Sequence, residues 1–266
     1  MSAAVSPTWH RFTPPQRIAR FAVYLVIVAA IVAAARTIEI IPEFLSDAPE
    51  QIVDLATRMW PIDWDAYQGS VHGALVETIH IAALGTLLAI VLALPIGVLA
   101  AHNVVPLTPV NLFAKLILVS SRSVNSLVWA LLFVGVFGPG PLAGTFAIAF
   151  RSIGFVGKLL GEALDETQRG PIEALVAVGA PWPSQLTFGY WPQVKPAFWS
   201  IALFRFDINV RESAVLGLVG AGGIGMALDA ALNLFQWGRV ALILVAILII
   251  VIVVEIAVTQ IRKRLL

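Results

Sequence analysis

Cysteine is absent from all 266 residues, which removes disulfides, thiolate metal ligands and a cysteine nucleophile from consideration. Charge is almost as scarce. Asp, Glu, Lys and Arg together make up 12% of the chain, about half of the roughly 25% that a soluble domain carries. With a net charge of only +1, there is no broad basic face to displace counterions from nucleic acid, so a nucleic-acid partner is not expected. The loop G-x-x-x-x-G-K-[ST] that cradles nucleotide phosphates is also missing, so any ATP-driven process must draw on another subunit. The four histidines, His10, His72, His80 and His102, lie far apart without H-E-x-x-H or comparable spacing, and no metal site is expected. No Ser-His-Asp order can be assigned. Glu162, Asp165 and Glu166 read as a solvated helix face rather than as paired acid and base.

What fills the chain instead is apolar: 59% of the residues are hydrophobic. A membrane helix needs about 20 mostly apolar residues, because each rises about 1.5 Å across a hydrocarbon core about 30 Å thick. Six stretches qualify, approximately Ile18 to Ala35, Val76 to Ala101, Asn111 to Phe137, Leu142 to Leu160, Pro196 to Leu218 and Val240 to Val258. The expected fold is therefore an all-α membrane protein of about six transmembrane helices. Residues 1–17 form an N-terminal tail, and residues 18–266 form a single transmembrane domain.

The first stretch follows Arg11, Arg17 and Arg20 and carries Ala33-Ala34-Ala35, as a cleaved signal would. Its apolar continuation through Ile38, Ile40 and Ile41 favours a retained helix. Basic residues before the first stretch, and Arg262, Lys263 and Arg264 after the last, place both termini in the cytoplasm. Residues 158–195 then lie inside and residues 36–75 outside. The outer loop is acidic, with Glu39, Glu43, Asp47, Glu50, Asp54, Asp63 and Asp65. Within it, Ile52, Leu55, Ala56 and Met59 follow helical spacing and predict a short amphipathic helix at the membrane surface. Trp60, Trp64 and Trp237 near outer helix ends, and Trp191 and Trp199 near an inner one, fit aromatic belts at the headgroup level.

Between the fourth and fifth stretches, the segment of about 161–192 reads as a short helix after Pro171, stopped by Gly179 and Pro181, then a turn and a second apolar run. Glu173-Ala174-Leu175, three residues, Gly179, nine residues and Gly189-Tyr190-Trp191-Pro192 resemble the loop E-A-A-x3-G-x9-I-x-L-P of ABC importer permeases. Glu173, Ala174, Gly179 and Pro192 match by position; Leu175, Gly189 and Trp191 depart from the pattern. Further on, the run Arg205-Phe-Asp-Ile-Asn-Val-Arg-Glu-Ser-Ala-Val-Leu-Gly-Leu-Val-Gly-Ala-Gly-Gly-Ile-Gly225 resembles the signature of phosphonate permeases of the PhnE type. Arg122-Ser-Val-Asn125, Lys158-Leu-Leu-Gly-Glu-Ala-Leu164 and Pro192-Gln-Val-Lys-Pro196 are similar to the same family. The resemblance runs from roughly Asp63 to the C-terminus; the N-terminal quarter shares only the layout.

Gly220-Ala-Gly222-Gly-Ile-Gly225 also fits the dinucleotide fingerprint G-x-G-x-x-G. A dinucleotide unit needs an acidic residue about 20 positions on, where this chain instead has the apolar run Val240 to Val254. Gly220, Gly222, Gly223 and Gly225 are better explained as a tight re-entry of the chain at the outer surface, an outer gate or turn.

Charges inside spans are costly and turn toward the bundle interior, so they mark candidate pathways. Arg122, Arg151 and Arg205 each lie roughly 14 to 17 Å from the start of their own span, near mid-membrane, at 1.5 Å per residue. Arg205, Asn209 and Glu212 share one helix face, while Asp207 and Arg211 form an i,i+4 pair on another, which reads as a structural pair. The pathway candidates are Arg122 with Asn125 and Ser126, and Arg205 with Asn209; Arg211 is kept in the set. Guanidinium forks match the oxygens of phosphonate or phosphate bidentately.

The family resemblance implies an ABC importer permease fold with a cytoplasmic coupling helix, in which Glu173, Ala174, Gly179 and Pro192 meet an ATPase dimer. It also implies a second copy of the chain, an extracytoplasmic phosphonate- or phosphate-binding protein and a bacterial inner membrane. No cofactor is expected in this chain, ATP and Mg belonging to the ATPase. The cargo implied is phosphonate or a related phosphorus oxyanion, phosphate or phosphite. An ABC permease for another small substrate such as an amino acid, and an ion-coupled secondary carrier, are the alternatives.

Overall fold

The computed structural model describes residues 12–37 and 41–265. The first eleven residues of the expected tail, with His10 and Arg11, lie outside the described residues, as do Ile38, Glu39 and Ile40. The chain divides into two compact units, Met1–Ala56 and Thr57–Leu266. In the first, α1 (Pro14–Thr37) covers the first expected span and extends it at both ends. It exposes apolar side chains all round, Ile18, Phe21, Leu25 and Ile31 among them, as a helix whose solvent is lipid does. The next helix, α2 (Pro42–Arg58), is the expected amphipathic one, beginning earlier than the spacing indicated. Glu43 sits in its first turn, where the positive end of the helix dipole favours a carboxylate.

In the second unit a wide turn, Tyr67–Val71, leads directly into α3 (His72–Ala100). The stretch from Asn111 to Phe137, expected as one span, is two helices, α4 (Thr108–Ser123) and α5 (Ser126–Phe137), meeting at 89°. The break has a local cause. Val124 and Asn125 are extended, and the Asn125 side chain accepts the Leu127 amide at 3.1 Å. Asn is a favoured N-cap because its short carbonyl reaches an amide that the new helix leaves unpaired.

The chain continues through α6 (Pro141–Asp165), α7 (Arg169–Ala177), α8 (Trp182–Ser184) and a second wide turn, Gln185–Tyr190, into α9 (Trp191–Leu216). Both long helices overrun their expected bounds at the ends nearest the segment between them. A glycine-rich turn follows α9, then α10 (Ile224–Asn233), which the sequence pattern left inside the re-entrant turn, and α11 (Trp237–Leu265). Among the described residues, four helices are long and apolar enough to cross a membrane: α1, α3 with its lead-in turn, α6 and α11. Counting each bent pair, α4 with α5 and α9 with α10, as one span brings the number to six. All regular elements among the described residues are helical.

The centre of the second unit is the seam between α3 and α6, and small residues make it close. Ala82, Gly85, Ala89, Ala93, Gly97 and Ala100 recur along one face of α3, all buried. Against them α6 sets Gly157 and Gly161. A methyl group at Gly97 would stand 2.9 Å from the Gly157 carbonyl oxygen. In lipid, where burial of apolar surface drives no association between helices, such close contact supplies dispersion energy instead.

The two ends of this bundle are tied differently. At one end the glycine turn is pinned by Gly140 N–H donating to Gly220 O at 2.9 Å, and Asp63 N–H donates to Gly238 O at 3.2 Å. At the other, the α3–α4 loop is fastened to the segment between α6 and α9. Asn103 donates from its amide to Asp165 Oδ1 at 3.0 Å and from its side chain to Asp165 O at 2.6 Å, and the Tyr190 hydroxyl donates to Asn103 O at 2.7 Å.

Candidate functional site

Midway along α6 and α9, a chain of polar side chains crosses the interior. Arg205 on α9 is buried and donates from Nε to Ser152 Oγ at 2.8 Å. Its Nη2 meets Glu212 Oε2 at 3.2 Å, two turns along the same helix. The other oxygen of that carboxylate, Oε1, pairs with Arg151 Nη1 on α6 at 3.0 Å. Arg151 Nη1 donates in turn to Ser126 Oγ at the start of α5, at 3.0 Å. From Ser152 the network continues to Asn209, whose Oδ1 accepts at 3.2 Å and whose Nδ2 donates to Thr86 Oγ1 on α3 at 2.7 Å.

This arrangement satisfies Asn209, Ser152 and Thr86, all fully buried or nearly so, as burial of polar groups requires. It also leaves charge over. Two guanidinium groups share one carboxylate, so Arg151, Arg205 and Glu212 together carry one positive charge in excess. Arg151 and Glu212 are partly exposed, at 31% and 16% of their side-chain surface, while Arg205 is at 3%. The exposed edge of the cluster is thus a place where an anion can reach a cation without entering the packed core.

The sequence-level candidates separate in space. Arg205, Asn209, Ser126 and, through its bond with Ser126 at 3.3 Å, Asn125 belong to the one network. Arg122 does not pair with Asn125 and Ser126; Arg151 takes that place. Arg122 stands instead in a separate cavity with Lys115 and Lys158. Arg211 points away from Arg205, pairing with Asp207 and approaching Glu255 of α11 at 3.9 Å, which fits the structural reading of that pair. Ser152 and Thr86 carried no sequence signal beyond their place inside spans. Glu212 and Arg151 could be found as intramembrane charges, but their pairing is a product of helix packing.

At the end of the bundle that carries Tyr190, α7 stops on a glycine. Gly179 adopts φ +73°, its amide donates to Val176 O at 2.9 Å, and the Ala180 amide donates to Leu175 O at 2.9 Å. This pair of hydrogen bonds to the last turn needs a left-handed residue, for which glycine carries no Cβ penalty. Glu173 and Ala174 face outward, and Pro192 lies exposed in the first turn of α9, where its missing amide proton costs nothing. The inner face of α7 packs on Gly189. A methyl group there would stand 3.1 Å from Leu175 Cδ1 and 3.3 Å from Ile172 Cγ1. Two departures from the loop pattern, Leu175 and Gly189, are therefore complementary: the larger side chain on α7 fills the room that the absent one leaves. Burial raises the pKa of Tyr190 above its ordinary value by disfavouring the phenolate.

At the opposite end the glycine turn is held by α3. Gly223 N–H donates to Glu77 Oε1 at 3.1 Å and Ile224 N–H to Thr78 Oγ1 at 2.7 Å. Gly220, Gly222 and Gly223 all have positive φ, and a methyl group at Gly222 would stand 2.7 Å from Pro141 Cα. Gly225 makes a different use of its missing side chain, passing against Gly217 where α10 begins beside the end of α9.

Residues 93–266 match the family described as binding-protein-dependent transport system inner membrane component. The phosphate-import permease protein PhnE of Mycolicibacterium smegmatis is 38% identical over 94% of this chain. This chain spans about half of that relative, 47% of its length. The phosphite transport system permease protein PtxC of Stutzerimonas stutzeri is 36% identical over 80% of this chain and 77% of its own length. Among solved structures, an inward-facing MetNI methionine ABC transporter chain superposes with a TM-score of 0.66 at 21% identity, over 77% of this chain and 100% of that one.

Proposed function

We propose that this chain, which belongs to the binding-protein-dependent transport system inner membrane components, is the membrane-spanning permease subunit of an ATP-driven importer for phosphonate or a related phosphorus oxyanion, phosphate or phosphite. The observation that carries the cargo is the Glu212 carboxylate held between the Arg151 and Arg205 guanidinium groups with one positive charge in excess. A tetrahedral oxyanion presents two oxygens to such forks as a carboxylate does. Its passage is an exchange: the anion takes contacts that Glu212 gives up, and Glu212 recovers them as the anion leaves. Holding the cations against an internal carboxylate keeps the site from becoming a trap, since conduction requires contacts that release as readily as they form.

The remaining surfaces take their roles from the family. The exposed side of α7, with Glu173 and Ala174, and the exposed Pro192 form the cytoplasmic face that meets an ATPase dimer, which supplies ATP and Mg; Gly179 shapes the end of that helix. Both termini lie on this side of a bacterial inner membrane. The Gly220 to Gly225 turn, with Asp63 and Asp65, forms the outer face, where a phosphonate- or phosphate-binding protein docks, and a second copy of the chain completes the pathway. The test is uptake of labelled methylphosphonate and phosphate into vesicles holding the permease, its ATPase and its binding protein. Uptake should require ATP and fall by at least tenfold in Arg151→Ala and Arg205→Ala, about 1.4 kcal/mol or more, with the complex still assembled. Undiminished oxyanion uptake in both variants would overturn the pathway role.

A further inference from the structure

Beyond the central network, a second cationic site stands closer to the α7 end of the bundle. On α4, Lys115, Leu118, Val119 and Arg122 share one face at spacings of three and four residues; on α6, Lys158, Gly161, Glu162 and Asp165 do the same. These two faces, with Ala100 of α3, line a cavity of about 240 Å³. Liquid water takes about 30 Å³ per molecule, so the space suits a small oxyanion with part of its hydration shell.

The charges are unevenly committed. Glu162 is held by Lys158 at 3.2 Å, and Asp165 accepts the Asn103 amide. Among the described residues, neither the Lys115 nor the Arg122 side chain has a hydrogen bond or ion pair. Three cations against two carboxylates leave one positive charge in excess, in a cavity with apolar walls at Leu118 and Val119. The cavity also continues the line of the central site. A methyl group at Gly154, one turn along α6 from Arg151, would stand 3.0 Å from Arg122 Cβ, and Lys158 lies one further turn on. The rise from Arg151 to Lys158 is about 10 Å at 1.5 Å per residue.

We infer that Lys115, Arg122 and Lys158 form a second binding site for a phosphate-type oxyanion, a release site on the ATPase side of the central network. The role as a release site rests on the proposed import of phosphorus oxyanions; the binding chemistry does not. Leu118 and Val119 would equally accommodate an acyl chain, so the oxyanion comes either from the cargo or from a lipid headgroup.

The chain's four lysines provide the assay: Lys115 and Lys158 line the cavity, while Lys195 and Lys263 lie outside it. The purified complex in phosphatidylcholine vesicles is treated with an amine-reactive reagent, and modification of each lysine is followed by mass spectrometry. Inorganic phosphate or methylphosphonate should slow modification of Lys115 and Lys158, about elevenfold at ten times the Kd of a single site. Lys195 and Lys263 should keep their rates, and Arg122→Gln should weaken the protection. If free oxyanions give no protection but added phosphatidylglycerol does, the site stands and the lipid headgroup is its source. Unchanged rates with both would overturn the site. Oxyanion uptake measured in the same vesicles separates the two claims. Uptake without protection rejects the release site alone, and protection without uptake rejects the transport reading alone.

Discussion

The Glu212 carboxylate stands 3.0 Å from the Arg151 guanidinium, joining α9 to α6 at the depth where Arg205 is buried. Charge thus joins the two helices beside the hydrogen bonds that Ser152 makes with Arg205 and Asn209. The contact is asymmetric, because Arg151 is partly exposed and Arg205 is buried.

That asymmetry makes Glu212→Gln the most disruptive conservative change in the network. It leaves the Arg205 cation buried without its counter-ion, and breaking a buried pair costs about 3–5 kcal/mol. Arg151→Gln should cost less, since Glu212 keeps Arg205. Thermal unfolding of the purified complex should rank the variants in that order, and equal losses would show that the burial difference carries no weight.

Arg211 offers the opposite case. Its partner Asp207 is buried, with one carboxylate oxygen unpaired, while Arg211 itself is half exposed. Arg211→Ala should destabilise the protein by leaving a buried carboxylate alone, and Asp207→Asn added to it should restore part of the loss. Oxyanion uptake per assembled complex should remain within about twofold of the parent, an activation difference below about 0.5 kcal/mol. A tenfold loss of uptake with stability intact would place Arg211 in the pathway after all.

Leu175 and Gly189 can be tested as a pair. Gly189→Ala brings a methyl group to 3.1 Å from Leu175 Cδ1, and overpacking of this kind costs about 1–3 kcal/mol. Leu175→Ala removes the contact with Gly189 and opens a gap. The double variant should lose less than the sum of the two, by about 0.5–3 kcal/mol of coupling, measured as thermal stability and as binding of the proposed ATPase. Strict additivity would mean that the two positions do not share one packing site.

Much of the architecture was legible because the membrane imposes it. A chain with 12% charged residues and long apolar runs must hydrogen-bond its backbone internally, and helices are one of two ways to do so. Six stretches therefore anticipated the spans, and Gly179 with Pro181 anticipated the end of α7, since both are local backbone effects. The bend at Asn125 was less visible, because apolar residues continue on both sides and hydropathy is indifferent to a cap. The helix α10 was hidden for a related reason: its ten residues are too few to span, and the glycines before it dominate the pattern.

By itself, then, the sequence determined the solvent of this protein, the helical content, the residues able to carry charge inside a bundle and the loop that resembles a coupling segment. Only the tertiary structure decided that Arg151, rather than Arg122, reaches Ser126, that Glu212 spans two guanidinium groups, and that Arg211 faces α11. Helical spacing places side chains on a face of their own helix, but the pairing of faces depends on how closely helices approach. Here that approach is governed by the small residues along α3 and α6, whose effect is expressed only when the two helices are packed together.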